Sequence, residues 1–205
     1  MDANYNKNVF INCPYDSEYI PMKQAIIFAV SICGFIPKLV SMNHDGGTPR
    51  IDKIKAMIKS SKYGVHDISR CKAKKEGEFY RLNMPFELGM DLGCRYFSNE
   101  HNEKNMLILA ESPYNHQPSL SDCSGYDPKC HQNDLYQAMY LVREFFYSEI
   151  PIDQRGSFIK KSEMKQQYER FQMALYTAVG GIKEEVNRLQ DLEYYTEICE
   201  YLKNK

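Results

Sequence analysis

An α/β fold, a doubly wound parallel sheet with a C-terminal helical extension, is predicted by three features of this sequence. Short β-prone runs alternate with helical segments through the first half, and each run ends in a polar or turn-forming segment. After residue 133 the strand signal gives way to helical periodicity alone. At 205 residues the chain suits one core with an appendage. Residues 1–133 are expected to form the α/β domain, and 134–205 helices that pack on it or build an oligomer interface.

The first strand is expected over residues 9–11, stopped by Asn12, Cys13, Pro14, Tyr15 and Asp16, a turn that leads into a helix. Residues 18–33 carry apolar side chains in the pattern of a helix buried against a sheet, with Gly34 as its C-terminal cap. A second strand follows at 35–40. The segment 41–49, with His44-Asp45-Gly46-Gly47, reads as a mobile loop, and Ile51, Ile54, Met57 and Ile58 repeat at helical spacing. The third strand is expected at 63–68 and a lysine-rich loop at 69–81. A third helix begins near Asn83, taken as its cap with Pro85 in the first turn, and a fourth strand spans 105–110. Parallel strands joined by right-handed crossovers put helices on both faces. Residues 111–133 form a long loop rich in proline, serine and aspartate, of the length that tends to be functional. Residues 134–147 and 161–189 read as helices, the second broken at Gly180-Gly181, with Tyr140, Phe145, Phe146, Tyr168, Phe171 and Tyr176 to pack them on the domain or on a second subunit.

Composition narrows the function classes. With 43% hydrophobic and 26% charged residues the chain can form a packed core, which excludes a disordered or collagen-like protein. The 26 basic and 27 acidic residues leave a net charge of −1, so nucleic acid and membrane are not expected as partners. The polar start, residues 1–8, lacks the apolar centre of a secretion signal, and a cytoplasmic location is expected. The seven cysteines contain no C-x-x-C pair, so reduced thiols are expected; Cys123, Cys130 and His131 match no zinc spacing, and no metal is expected.

In a parallel sheet the ligand crevice lies beyond the carboxyl ends of the strands, where strand order reverses. The loops expected there hold residues 12–16, 44–50, 67–70 and 111–115, and the helix starting Asn83-Met84-Pro85-Phe86-Glu87 brings its N-terminus to the same rim. Asn83 and Glu87 are four apart and share one helix face. The helix dipole favours ionised Glu87, as a nucleophile or a stabiliser of an oxocarbenium-like centre requires. Gly89 and Gly93, also four apart, are expected to let the helix approach the sheet closely. Plainer roles stay open: Glu87 as a solvated first-turn acid, Asp67 as a turn residue, Arg70 and Arg81 as solvated charges rather than phosphate partners, and His66 as a packed core histidine rather than a base.

The run His66-Asp67-Ile68-Ser69 followed by Asn83-Met84-Pro85-Phe86-Glu87-Leu88-Gly89 resembles the nucleoside 2-deoxyribosyltransferase-like proteins and their relatives, the bacterial Toll/interleukin-1-receptor (TIR)-like proteins. The resemblance covers residues 9–109 and implies a flavodoxin-like sheet. It implies that Glu87 is the catalytic glutamate, that Asp67 lines the ribose or orients Glu87, and that the segment from Asn12 through Cys13, Pro14 and Tyr15 to Asp16 contacts base or sugar. The stretch Asn83-Met84-Pro85 departs from the transferase pattern. N-glycosidic cleavage is therefore implied more strongly than nucleobase exchange, with NAD as substrate rather than cofactor and with a role in antiphage defence or signalling. On this reading Asn83 and Asp67 hold ribose hydroxyls, Arg50, Arg70 or Arg81 meet phosphate, Tyr15 stacks on the base, and Ser69 and Met84 line the substrate. The partners expected are a nucleotide or NAD, a second copy of the chain, and an effector or sensor protein. Two alternatives are a non-catalytic nucleotide-binding TIR-like assembly module and a deoxyribosyltransferase. A phosphoacceptor domain fits less well, because Asp16 is a lone acid after the first strand.

Overall fold

The computed structural model describes residues 2–70, 82–114 and 116–204. Among these residues five strands, β1 (Asn8–Asn12), β2 (Ile36–Lys38), β3 (Tyr63–Asp67), β4 (Asn105–Ala110) and β5 (Lys129–Cys130), form one parallel sheet in the order β2-β1-β3-β4-β5. This is the strand order of a flavodoxin-like doubly wound fold, and it reverses between β1 and β3. The fifth strand lies inside the segment expected to be loop. Its two residues pair only with Leu109 and Ala110, too short a run to show alternation in the sequence.

Among the described residues seven helices connect and cover the strands: α1 (Ile20–Ile32), α2 (Arg50–Ser60), α3 (Asn83–Phe97), α4 (Leu135–Glu149), α5 (Lys161–Ala178), α6 (Lys183–Arg188) and α7 (Asp191–Lys203). A 3₁₀ turn, Ser17–Tyr19, precedes α1, and Pro21 occupies its first turn, where the missing N–H costs nothing. Every residue of α1 from Met22 to Ser31 is buried, as befits a helix covered by the sheet on one side and by other helices on the rest. Gly34, at φ +83°, closes it in the left-handed conformation that favours glycine.

The two faces of the sheet follow the alternation along each strand. Val9, Ile11, Val65, Leu107 and Leu109 pack under α1 and α4 in the main core, while Phe10 meets Ile54 and Ile58 of α2, and Ile68, Ile108 and Ala110 meet α3. The C-terminal helices belong to the main core: Met164, Tyr168, Phe171 and Leu175 of α5, Val186 of α6, and Tyr194 and Ile198 of α7 are buried there. Phe28 of α1 stacks on Phe171 with ring centroids 5.3 Å apart, and Gln172 donates to the fully buried Tyr194 hydroxyl at 2.7 Å. Helix α7 lies beyond the last helix expected from the sequence. Its N-terminus has a capping box in which Glu193 accepts from the Gln190 N–H at 2.9 Å. Among the described residues no helix is long and apolar enough to cross a membrane.

Candidate functional site

The switch point brings the ends of β1 and β3 together, with Asn12 in register beside His66. Asn12 Nδ2 donates to the Met84 carbonyl at 2.8 Å and to His66 Nδ1 at 3.1 Å, tying the start of α3 to β1. Because Nδ1 accepts, the ring proton sits on Nε2, which donates to Asp91 Oδ2 at 3.0 Å. The other Asp91 oxygen stands 3.2 Å from Lys104 Nζ, which donates to the Ile58 carbonyl at 2.8 Å and to that of Ser61. His66, Asp91 and Lys104 are all fully buried. Gly64 gives them room: a Cβ there would lie 2.6 Å from both Asp91 Oδ2 and His66 Nε2.

Glu87 sits one helical turn before Asp91 on the buried side of α3 and is 5% exposed. Among the described residues it pairs with Arg50, whose guanidinium lies 3.8 Å from Oε1 and stays half exposed at the first turn of α2. Burial raises the Glu87 carboxyl above its ordinary range, against the pull of the Arg50 guanidinium. The expectation that the helix dipole keeps this acid readily ionised is thus corrected: desolvation prevails. Asn83 is also corrected. It is the first residue of α3 and exposed, while Leu82 holds the cap position and no side chain caps the helix. Gly89 and Gly93 face solvent rather than the sheet, since a Cβ on Gly89 would meet nothing within 4 Å and one on Gly93 only Phe97 of the same helix.

Asp67 leaves β3 on the opposite face and is fully buried. Its Oδ1 accepts from the Ser69 N–H at 2.8 Å; its Oδ2 accepts from His131 Nε2 at 2.9 Å and from the Tyr19 hydroxyl. Burial pushes this carboxyl up, but the bonds from His131, Ser69 and Tyr19 outweigh it and hold the group below its ordinary range. Ser69 Oγ also lies 2.9 Å from His131 Nε2. Serine, histidine and aspartate meet here, yet they do not form a hydrolase triad. His131 Nδ1 accepts from the Asn133 N–H at 3.1 Å, so Nε2 carries the proton and has no lone pair to take the Ser69 hydrogen.

The remaining residues predicted for the site form its rim. Pro14 and Cys13 are buried, and burial pushes the Cys13 thiol well up, which leaves it a protonated packing group. Met84 is buried and contributes its carbonyl to Asn12. Arg70 reaches across from the end of β3 to Asp16, at 3.0 and 3.3 Å, and to Glu18 at 3.6 Å, joining the two loops of the switch point. The Tyr15 ring is 40% exposed and carries Lys23 Nζ and the Arg50 guanidinium at 5.2 and 5.4 Å from its centroid. Lys23 pairs with Asp191 at 2.7 Å, and Asp191 also accepts from Ser41, so the first residue of α7 braces the rim. Arg81 lies outside the described residues.

Glu87, Asn12, Met84, Arg50 and Tyr15 therefore gather at one end of the sheet, with Asp67 and Ser69 turned inward beneath it. Sequence reasoning missed Tyr19, Asp91, Lys104, His131 as a partner of Asp67, and Asp191. Only Asp91 had a signal, its four-residue spacing from Glu87. Among the described residues no three histidine, cysteine or acidic side chains are arranged to hold a metal ion. Comparison of the chain with family models, with curated proteins and with solved structures finds no match in any of the three.

Proposed function

We propose that this protein breaks the N-glycosidic bond of a nucleotide, with NAD as the favoured substrate, at Glu87. The observation that carries this reading is a carboxylate buried at the switch point of a parallel sheet, one helical turn from a buried histidine–aspartate pair. A poorly solvated carboxylate gains more from a cation developing beside it than a solvated one does, which is what an oxocarbenium-like transition state offers. In NAD the C1′–N bond breaks with its electron pair passing to the nicotinamide nitrogen, so the base leaves neutral without needing a proton. The ribosyl cation then takes up water, whose proton passes to Glu87.

The surrounding groups suit the rest of such a substrate. Arg50 is half exposed and its contact with Glu87 is long, so it can turn to a phosphate, and the accessible Tyr15 ring offers a stacking surface. Asn83, exposed one turn before Glu87, offers an amide for ribose hydroxyls. Asp67, with both oxygens engaged, acts through Tyr19, Ser69 and His131 to hold the loops in place rather than by touching sugar. The likeness of these residues to TIR-like and deoxyribosyltransferase-like proteins supports the same chemistry.

Incubation of the purified protein with NAD and a panel of nucleosides, followed by chromatography, tests the reading. Release of free base is expected, slowed by about 10²–10⁴-fold in Glu87→Gln. Undiminished release by Glu87→Gln removes this residue from the mechanism. A compound that is bound but never consumed establishes the non-catalytic binding module instead.

A further inference from the structure

We propose that the solvent face of α3 is a dimer interface on which two copies of this chain pack antiparallel about a two-fold axis. The side of the helix turned away from the sheet carries Leu82, Phe86, Gly89, Met90, Gly93 and Phe97, flanked by Tyr96, with no charged residue among them. Leu82 is 56% exposed, Phe86 60%, Tyr96 58% and Phe97 91%. A helix lying on a sheet ordinarily turns charged and polar residues to water. A continuous apolar stripe in that position marks a surface that another molecule covers.

The order of side chains along the stripe suits a second copy as the covering molecule. Phe86, Met90, Gly93 and Phe97 are separated by four, three and four residues, a spacing that reads the same in both directions. A two-fold axis midway along an antiparallel pair sets Phe86 against Phe97 of the partner subunit, and Met90 against Gly93 of the partner subunit. Each contact occurs twice, as an isologous interface requires. Met90 meets a hollow, since a Cβ on Gly93 would touch only Phe97, at 3.8 Å. A cavity of about 370 Å³ between α2 and α3, lined by Ile58, Met90, Gly93, Cys94 and Phe97, opens where Phe86 of the partner subunit arrives.

The size of the surface is sufficient. Leu82, Phe86, Tyr96 and Phe97 together expose on the order of 500 Å² per protomer, so that covering them fully in both protomers buries about 1,000 Å², the threshold for a specific interface. Lys55 and Lys59 on one side of the cavity and Glu100 on the other supply the polar rim that surrounds such apolar centres. The proposal is independent of the chemistry at Glu87.

Sedimentation velocity of the full chain across a range of micromolar concentrations tests it. The wild type is expected to dimerise, and Phe86→Glu or Phe97→Lys alone to weaken the dimer by at least about tenfold. Because positions 86 and 97 face each other across the axis, the double variant Phe86→Glu/Phe97→Lys brings opposite charges together and is expected to regain the dimer. Both side chains point to water in the monomer, so the far-ultraviolet circular dichroism of each variant should match that of the wild type. A wild type that stays monomeric at every concentration, a dimer indifferent to both single substitutions, or a double variant that does not recover overturns the proposed arrangement.

Discussion

His66 and Asp67 are adjacent in β3, leave the sheet on opposite faces, and end in two separate buried networks. Asp67 is held below its ordinary range despite burial, because three donors converge on it. Its folded carboxyl therefore titrates lower than the unfolded one, so the stability it contributes is complete above the unfolded value of about 4 and is lost as pH falls through the folded value. Acid titration of wild type and Asp67→Asn checks this. The wild type should lose more stability than the variant as pH drops below about 4, and parallel curves would deny the linkage. Glu87 titrates the opposite way: its raised folded value means that its cost appears as pH rises past the unfolded value and persists at neutrality. Glu87 was legible in the sequence as an acid near the start of a helix placed beyond a strand. Its desolvation was not, because that depends on what packs over it. The partners of His66 and Asp67 were also hidden, lying 25 and 64 residues away in the chain, where spacing along one element carries no information.

At the scale of elements, strand and helix alternation was readable wherever a segment was long enough to show a period. β4 spans the expected 105–110, α2 and α4 lie within two residues of expectation, and Gly180 and Gly181, both at positive φ, end α5 as the sequence suggested. Failures fell on short or capped pieces. β5 has two residues, and the Ser17–Tyr19 turn takes the first residues expected of α1. α3 begins without a side-chain cap, although Asn83 is a residue type that favours one. α4 shows the contrast, since Asp134 accepts from the Tyr136 and Gln137 N–H groups at 2.7 and 3.2 Å. Asp134→Ala is expected to cost about 0.5–2 kcal/mol in chemical denaturation, and an unchanged midpoint would show that packing alone fixes the start of α4.

At the scale of the whole molecule, the α/β portion and the C-terminal helices share one core, and α1 is its centre, contacted by α4, α5 and α7. A fragment of residues 1–133 leaves the apolar side of α1 open to water where Phe146, Phe171 and Tyr194 now cover it. It should not unfold cooperatively by itself, whereas the full chain should melt in a single transition. Calorimetry of both distinguishes this from two independent units: a sharp endotherm from the fragment would establish that the helices are an accessory. The same covering explains why the aromatic residues of the C-terminal half divide between the two roles open to them in the sequence. Phe146, Tyr168 and Phe171 went to the core, while Tyr176 stays 41% exposed.

The brevity of β5 leaves one more mark on the molecule. It stops at Lys129 and Cys130, so the outer edge of β4 from Asn105 to Ile108 has no neighbouring strand among the described residues. A sheet with such a seam can be lengthened by any extended chain that reaches it, including a half-folded sister molecule. Asp127, Lys129 and Glu144 stand around the opening, and their charges guard it much as a zip is kept from catching by the cloth folded over its end. Protection of that border is in this sense a local matter, set by the few ionic side chains beside it rather than by the small net charge of the chain.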